Sequence, residues 1–217
     1  MEFIRDTLAV FPDLLKAVPI VIQLALGAMA LALVLGLLIA LARISSLRLI
    51  RGVALIFVEI MRGTPLLVQL VYIYFVLPSI GISIDPVPAG ILGLGLNYAA
   101  YLSEVFRSAI LSVEQGQTEA ALSLGYTPTK TLWKIVIPQS FVVSLAPIGN
   151  YFIAMVKDTA LTSAIAVTEI LKTANSLNSQ TFQTTEIYTA AAVLYLLISL
   201  PLSRIVVLLE RKVRSNA

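Results

Sequence analysis

The chain has 217 residues, of which 59% are apolar and only 12% charged, with a formal net charge of +3 and a mean hydropathy of +0.95. That composition excludes an ordinary water-soluble globule, whose charged fraction is about twice as high. The absence of Cys and His excludes thiol chemistry, disulfides and most zinc sites, and the basic residues sit at helix ends, which leaves no footprint for nucleic acid.

From the start of the chain, Met1-Glu2-Phe3-Ile4-Arg5-Asp6 makes a poor signal peptide. The apolar run behind it is too long and lacks a small-residue cleavage site, so it is expected to remain as a helix. Five charge-free windows follow, at 17–42, 63–84, 86–103, 135–156 and 187–203. Crossing about 30 Å of hydrocarbon takes about 20 apolar residues. The first, second and fourth windows meet that length, and the third and fifth reach it through residues 105–106 and 205–209. Only helices and closed barrels satisfy their backbone in lipid, and barrel-type alternation is missing. The expectation is an all-α membrane protein with about five transmembrane helices in one domain, 1–217.

Orientation follows from the Lys and Arg residues. Arg43, Arg48 and Arg51 follow the first predicted helix, Arg107, Lys130 and Lys134 follow the third, and Arg204, Arg211, Lys212 and Arg214 close the chain. The opposite side carries Arg5, Lys16, Lys157 and Lys172. The bias predicts an N-terminus outside and a C-terminus in the cytoplasm. Loop 114–128 is then cytoplasmic, and loop 77–88 lies outside.

The second window opens with Glu59-Ile60-Met61-Arg62-Gly63-Thr64-Pro65. Glu59 and Arg62 are three apart, share a helix face and are expected to pair. Gly63-Thr64-Pro65 breaks or kinks the helix, which makes Glu59, Arg62 and Pro65 structural or gating candidates. In the third window, Asn97, Tyr101 and Glu104 fall at i, i+4 and i+7 and form one stripe. A polar stripe on a spanning helix should face the bundle interior or a wet path. Asn97, Tyr101 and Glu104 are candidate substrate ligands, and an aromatic belt at the inner interface is the alternative for Tyr101 and Arg107.

Between the third and fourth windows stands Glu119-Ala120-Ala121-Leu122-Ser123-Leu124-Gly125. Thr118 is placed to cap a short helix, with Glu119 in its first turn and Gly125 as a left-handed stop. Thr127 and Pro128 read as the cap and first residue of the next helix. Ala120 and Ala121 leave a low surface suited to a groove on a partner, and an ordinary surface helix is the alternative. Pro138 and Pro147 are expected to kink or interrupt the fourth helix. Its far end, residues 150–163, holds the further candidates Asn150, Met155, Lys157, Asp158, Leu161 and Ser163. Interrupted helices with polar residues near their breaks are where transporters often bind substrate. Lys157 and Asp158 read as a neutralised pair inside the bundle or as the outer end of the helix. Residues 164–186 read as a mixed segment with a short helix.

These residues resemble a known family. Glu-Ala-Ala, three residues, Gly, nine residues and Ile-x-apolar-Pro, here Glu119 to Pro138, is similar to the EAA motif of ABC importer permeases, with Ile137 where that family more often has Leu. Residues 59–69 and 156–161 look like the polar-amino-acid branch, the histidine, glutamine and arginine permeases. The resemblance implies a type I (MetI-like) permease fold in the bacterial plasma (inner) membrane. It implies that Glu119, Ala120, Ala121 and Gly125 form a coupling helix that docks on two cytoplasmic ATPase subunits. A second permease copy or paralogue and an extracytoplasmic amino-acid-binding protein would complete the assembly. The chain has no G-x-x-x-x-G-K-[ST] loop, so no cofactor is expected on it, and ATP and Mg²⁺ would act on the partner. The substrate expected is a polar amino acid, with the carboxylates of Glu104 and Asp158 favouring basic ones over glutamine. An ion-driven secondary transporter or a membrane scaffold is the alternative. The first usually carries an internal repeat, which the chain lacks, and the second has no need of a polar stripe.

Overall fold

The computed structural model describes residues 2–214, with side chains for 3–211. Among the described residues there are helices and no strand. α1 (Glu2–Leu15) precedes α2 (Val18–Ile44), and Ser45 ends α2 in extended conformation before α3 (Arg48–Gly63). After the break at Thr64 and Pro65, α4 (Leu66–Val71) continues through a π turn, Tyr72–Val76, and a 3₁₀ turn, Leu77–Ile80. α5 (Pro86–Leu111) leads into α6 (Gln115–Ser123), then α7 (Pro128–Thr131), a π turn (Leu132–Val136) and α8 (Ile137–Asp158). A 3₁₀ segment (Thr159–Ile165), α9 (Ile170–Thr181) and α10 (Thr184–Arg214) complete the chain.

By length and apolarity three helical stretches among the described residues can cross a membrane: Val18–Ile44, Pro128–Ile165 and Thr184–Arg211. The pair Arg48–Gly63 and Leu66–Ile80, bent by 105°, makes a fourth if taken as one span. α5, the core of the third predicted span, has 26 residues and reaches about 39 Å at about 1.5 Å per residue. Its polar stripe and small residues keep it below the apolarity of the others, and most of it is buried by its neighbours.

α5 is the centre of the fold. Small residues let α2 lie along it: a Cβ on Gly36 would stand 3.0 Å from Leu102 Cβ, and one on Gly95 would stand 2.6 Å from Leu31 Cδ2. Glycine at these two positions allows close approach, which in lipid replaces the hydrophobic driving force available in water. Leu24, Ala28, Leu94, Ala99 and Leu102 are fully buried in this core, joined by Met155 of α8. A second cluster gathers Leu14 of α1, Val21 of α2, Ile170 and Ala174 of α9, and Ile187 and Ala190 of α10.

The break expected at Gly63-Thr64-Pro65 is present, as a bend of 105° between Arg48–Gly63 and Leu66–Ile80. The structure departs from the sequence reading in three places. The fourth helix is not interrupted: Pro128–Ile165 runs as one helical rod of 38 residues. Proline removes an N–H and crowds the carbonyl four residues back, and a widened turn relieves this. Both π turns end two residues before a proline, at Pro78 and at Pro138. Thr118 is not the cap of α6, because that helix begins at Gln115 with Glu114 before it, and Thr118 lies inside the first turns. Finally, Glu2–Leu15 forms a helix that no window announced, since its apolar residues are spread over two faces instead of one run.

The mixed segment after α8 is ordered around a buried acid. Glu169 is fully buried and caps α9, accepting hydrogen bonds from Leu171 N (2.8 Å), Lys172 N (2.7 Å) and the Tyr195 hydroxyl (2.5 Å). A carboxylate is favoured at a helix N-terminus, where unpaired N–H groups and the helix dipole point at it. Here it also ties α9 to α10.

Candidate functional site

The break after α3 faces α5 and α8, and the three together line an open cavity of about 450 Å³. Arg62, Thr64 and Pro65 come from the break, Asn97 and Tyr101 from α5, and Asp158 from the end of α8. Tyr98 and Tyr151 complete the wall. A neighbouring cavity of about 390 Å³ shares Arg62, Tyr101 and Tyr151 and extends along α5 to Glu104, Ser108 and Ser112. The i, i+4, i+7 stripe thus runs along the walls of these two adjoining pockets.

Three tyrosines set the wall. The Tyr98 and Tyr151 rings meet edge to face with centroids 6.2 Å apart, and Tyr101 and Tyr151 lie 5.7 Å apart. The Tyr98 hydroxyl donates to Asp158 Oδ2 at 2.7 Å. The Arg62 guanidinium stands 5.4 Å from the centroid of Tyr101, a cation–π distance. One carboxylate and one guanidinium inside an aromatic-walled cavity can complement a zwitterion, since each head group needs a partner of opposite charge once stripped of water.

Several candidates take other places. Glu59 and Arg62 form no ion pair among the described residues; Arg62 turns to Tyr101 instead. Glu104 is not an open carboxylate, because Arg43 binds one of its oxygens and Arg107 the other. Lys157 and Asp158 do not pair either: consecutive helical residues point about 100° apart, so Asp158 faces Tyr98 while Lys157 is exposed. Asn150 is exposed, Met155 is fully buried in the core, and Leu161 packs against that core, so these three and Ser163 stand outside the cavity walls. Asn97 does line the cavity, but its amide is occupied, donating to Met61 O at 3.0 Å and to Gln69 Oε1 at 3.1 Å.

That last contact belongs to a network that holds the break open. The Gln69 amide nitrogen lies 2.8 Å from Met61 O and 2.7 Å from Thr64 Oγ1, and the Thr64 hydroxyl donates to Ile60 O at 2.9 Å. The last carbonyls of a helix have no partner within it, and in lipid an unbonded carbonyl costs several kcal/mol. Gln69, Thr64 and Asn97 supply the missing donors. From the sequence Gln69 is only one member of the run 59–69, Tyr98 only flanks the polar stripe, and Tyr151 carries no role. Gln69 four residues after Pro65 was the available signal, since a glutamine in an apolar run needs a polar partner.

The second site is the loop between α5 and α8. α6 ends at Gly125, whose φ is +85°, with Gly125 N donating to Leu122 O (2.9 Å) and Tyr126 N to Ala121 O (3.1 Å). This pair of bonds is a Schellman stop. Thr127 then caps α7, its Oγ1 accepting from Lys130 N at 3.3 Å, with Pro128 next. Glu119 and Ala120 are exposed, but Ala121 is buried against the chain's own helices, so of the two alanines only Ala120 is open to a partner. Leu122 and Leu124 are exposed beside it, Leu124 at 81%.

Comparison with known proteins gives a consistent answer. The family model described as "Binding-protein-dependent transport system inner membrane component" matches residues 32–215. The L-cystine transport system permease protein TcyB of Bacillus subtilis is 38% identical over 203 residues, covering 93% of this chain and 87% of TcyB. The glutamine transport system permease protein GlnP of Escherichia coli is 36% identical over 205 residues, covering 94% of each chain. Among solved structures, an amino acid ABC transporter crystallised with histidines is 36% identical with a TM-score of 0.86, covering 93% of this chain and 94% of that one. The MetNI methionine ABC transporter, at 22% identity and a TM-score of 0.76, shares the fold.

Proposed function

The chain belongs to the family of binding-protein-dependent inner membrane components and is the permease subunit of an amino acid ABC importer; from that premise we propose that it passes polar amino acids, basic ones or glutamine, through the tyrosine-walled cavity. The work of ATP hydrolysis belongs to the ATPase subunits with which such permeases operate. The observation that carries the substrate reading is the joining of Asp158 and Arg62 in one aromatic-walled space. Asp158 meets a cationic side chain or the α-ammonium, Arg62 meets the α-carboxylate, and the tyrosines hold the aliphatic stem and exclude water.

Residues 119–125 form the handle gripped by a pair of ATPases, which bind ATP and Mg²⁺ themselves. A positive-φ glycine stop and a capped helix directly behind it make the handle stiff, so its displacement passes along the rod Pro128–Ile165 to Asp158 near its far end. ATP-driven closure of the ATPases draws the handles of two permease copies, or of one copy and a paralogue, together. The cavity then opens outward to an extracytoplasmic binding protein, and hydrolysis returns it inward. The N-terminus is outside and the C-terminus cytoplasmic in this scheme, as the Lys and Arg bias requires.

Uptake by the full complex in proteoliposomes tests the reading. Asp158→Asn is expected to lower arginine uptake about tenfold, about 1.4 kcal/mol, and glutamine uptake less. No effect on either substrate removes Asp158 from substrate recognition, and equal effects on both assign it to the α-ammonium instead of the cationic side chain. Transport by the chain alone, with no ATPase present, would sink the ATP-driven scheme.

A further inference from the structure

α1 has no place in the transport scheme, yet its residues are sorted with unusual order. With about 100° between successive residues, a helix of this kind presents three sectors. Val10, Phe11 and Leu14 face inward and pack in the cluster formed with α9 and α10, and Thr7 is buried on the same side. Ile4, Leu8, Pro12 and Leu15 form a second apolar stripe facing away from the protein, with Ile4 63% and Leu8 60% exposed. Arg5, Asp6, Ala9, Asp13 and Lys16 fill the remaining sector. We propose that α1 lies along the membrane–water boundary, with its Ile4–Leu8–Pro12–Leu15 stripe sunk among lipid acyl chains and its polar sector in water.

Four observations select lipid as the occupant of the stripe. The helix has 14 residues, about 21 Å at about 1.5 Å per residue, too short to span. It is joined by Lys16 and Ala17 to α2, one of the spans, on which Ile22 and Leu26 are exposed in turn, so the stripe continues into a lipid-facing surface. Its depth is set by Pro12, which lacks an N–H and leaves the Leu8 carbonyl without its helical donor. Such a carbonyl is costly in hydrocarbon but readily satisfied by water or head groups at the boundary. Finally, the polar sector neutralises itself: Arg5 pairs with Asp6 at 3.3 Å and Lys16 with Asp13 at 2.7 Å. Anchoring then rests on the apolar stripe rather than on attraction to anionic lipid. Because the opposite face grips α9 and α10, the anchor fixes the level of α9, which Glu169 caps and ties to α10, relative to the bilayer surface.

This chain has no cysteine, so once those of the partner subunits are replaced a single introduced cysteine carries the label. The full complex, carrying Leu8→Cys or Ala9→Cys labelled with a polarity-sensitive fluorophore, is reconstituted in phosphatidylcholine vesicles. Quenching is measured with lipid spin-labelled near the head group and with aqueous iodide. The expected result is lipid quenching exceeding iodide quenching about threefold at Leu8, the reverse at Ala9, and no change on adding anionic phospholipid. Ile4→Cys, one turn earlier on the same stripe, should repeat Leu8 and guards against a local fault in one variant. Strong iodide quenching at Leu8 and Ile4 would place the stripe in water and overturn the proposal. Quenching by neither agent would place it against another protein chain, and a requirement for anionic lipid would place the anchor in the charges; either outcome overturns it as well.

Discussion

Two breaks in the chain use the same residue types and are held together in opposite ways. At Gly63-Thr64-Pro65, and again at Gly125-Tyr126-Thr127-Pro128, a glycine ends one helix and a proline stands at or beside the start of the next. The second break is completed by its own neighbours. Gly125 and Tyr126 bond back to α6, and Thr127 caps α7. The first leans on residues well away from it: Gln69 from the following helix and Asn97 from α5, 36 positions along from Met61. The difference follows from the surroundings. In an aqueous loop, water can satisfy whatever the local turn leaves unbonded. Among apolar helices nothing else is available, so the fold brings amides to the exposed carbonyls.

This contrast can be broken or sharpened by substitution. Gln69→Leu removes the donor shared by Met61 O and Thr64 Oγ1 and leaves the Asn97 amide short of an acceptor. A loss of about 3 kcal/mol is expected, read as a lower unfolding midpoint of the detergent-solubilised chain. Gly125→Val places a β-branched residue at φ +85° and should cost about 2 kcal/mol. It should also abolish stimulation of the partner ATPase, and normal stimulation would detach residues 119–125 from coupling. Thr127→Ala removes only a cap and should cost about 1 kcal/mol. Faster hydrogen exchange confined to residues 128–132 is the expected sign. Smallest is Tyr126→Leu, which removes the half-buried ring lying 4.2 Å from Nζ of the exposed Lys130, an effect of about 0.5 kcal/mol. If Thr127→Ala proved more damaging than Gln69→Leu, the division between locally and distantly held breaks would be wrong.

How much was legible in the sequence divides along the same line. Gly125 as a left-handed stop and Thr127-Pro128 as a helix start are short-range features, and both are found as expected. Thr118 was misplaced because Gln115 to Gln117 are themselves compatible with helix, so the helix starts earlier. The charged pairs went wrong in a consistent way. Glu59 with Arg62, and Lys157 with Asp158, were paired by proximity along the chain, whereas in the fold Arg62 takes Tyr101 and Asp158 takes Tyr98. Glu104 does take Arg107 three residues on, but Arg43 from α2 occupies its other oxygen. The i, i+4, i+7 stripe lies along the two pockets beside α5, but its two outer members are bound to the protein itself. Tyr98, read only as a flanking residue, reaches Asp158.

By itself the sequence determined what depends on composition and on neighbours within one or two turns: a helical membrane chain, the apolar windows, the glycine and proline punctuation, and the EAA-like loop. Periodicity, hydropathy and turn chemistry act over a few residues, and those residues are adjacent in the string. Tertiary structure alone decided which polar groups meet. It bent Arg48–Gly63 against Leu66–Ile80 by 105°, set Asn97 and Gln69 on the carbonyls thereby left open, and brought Arg62, Tyr98, Tyr101, Tyr151 and Asp158 around one cavity. Inside an apolar bundle, a buried polar group is strongly favoured to find a partner, and that partner is chosen by helix packing rather than by distance along the chain.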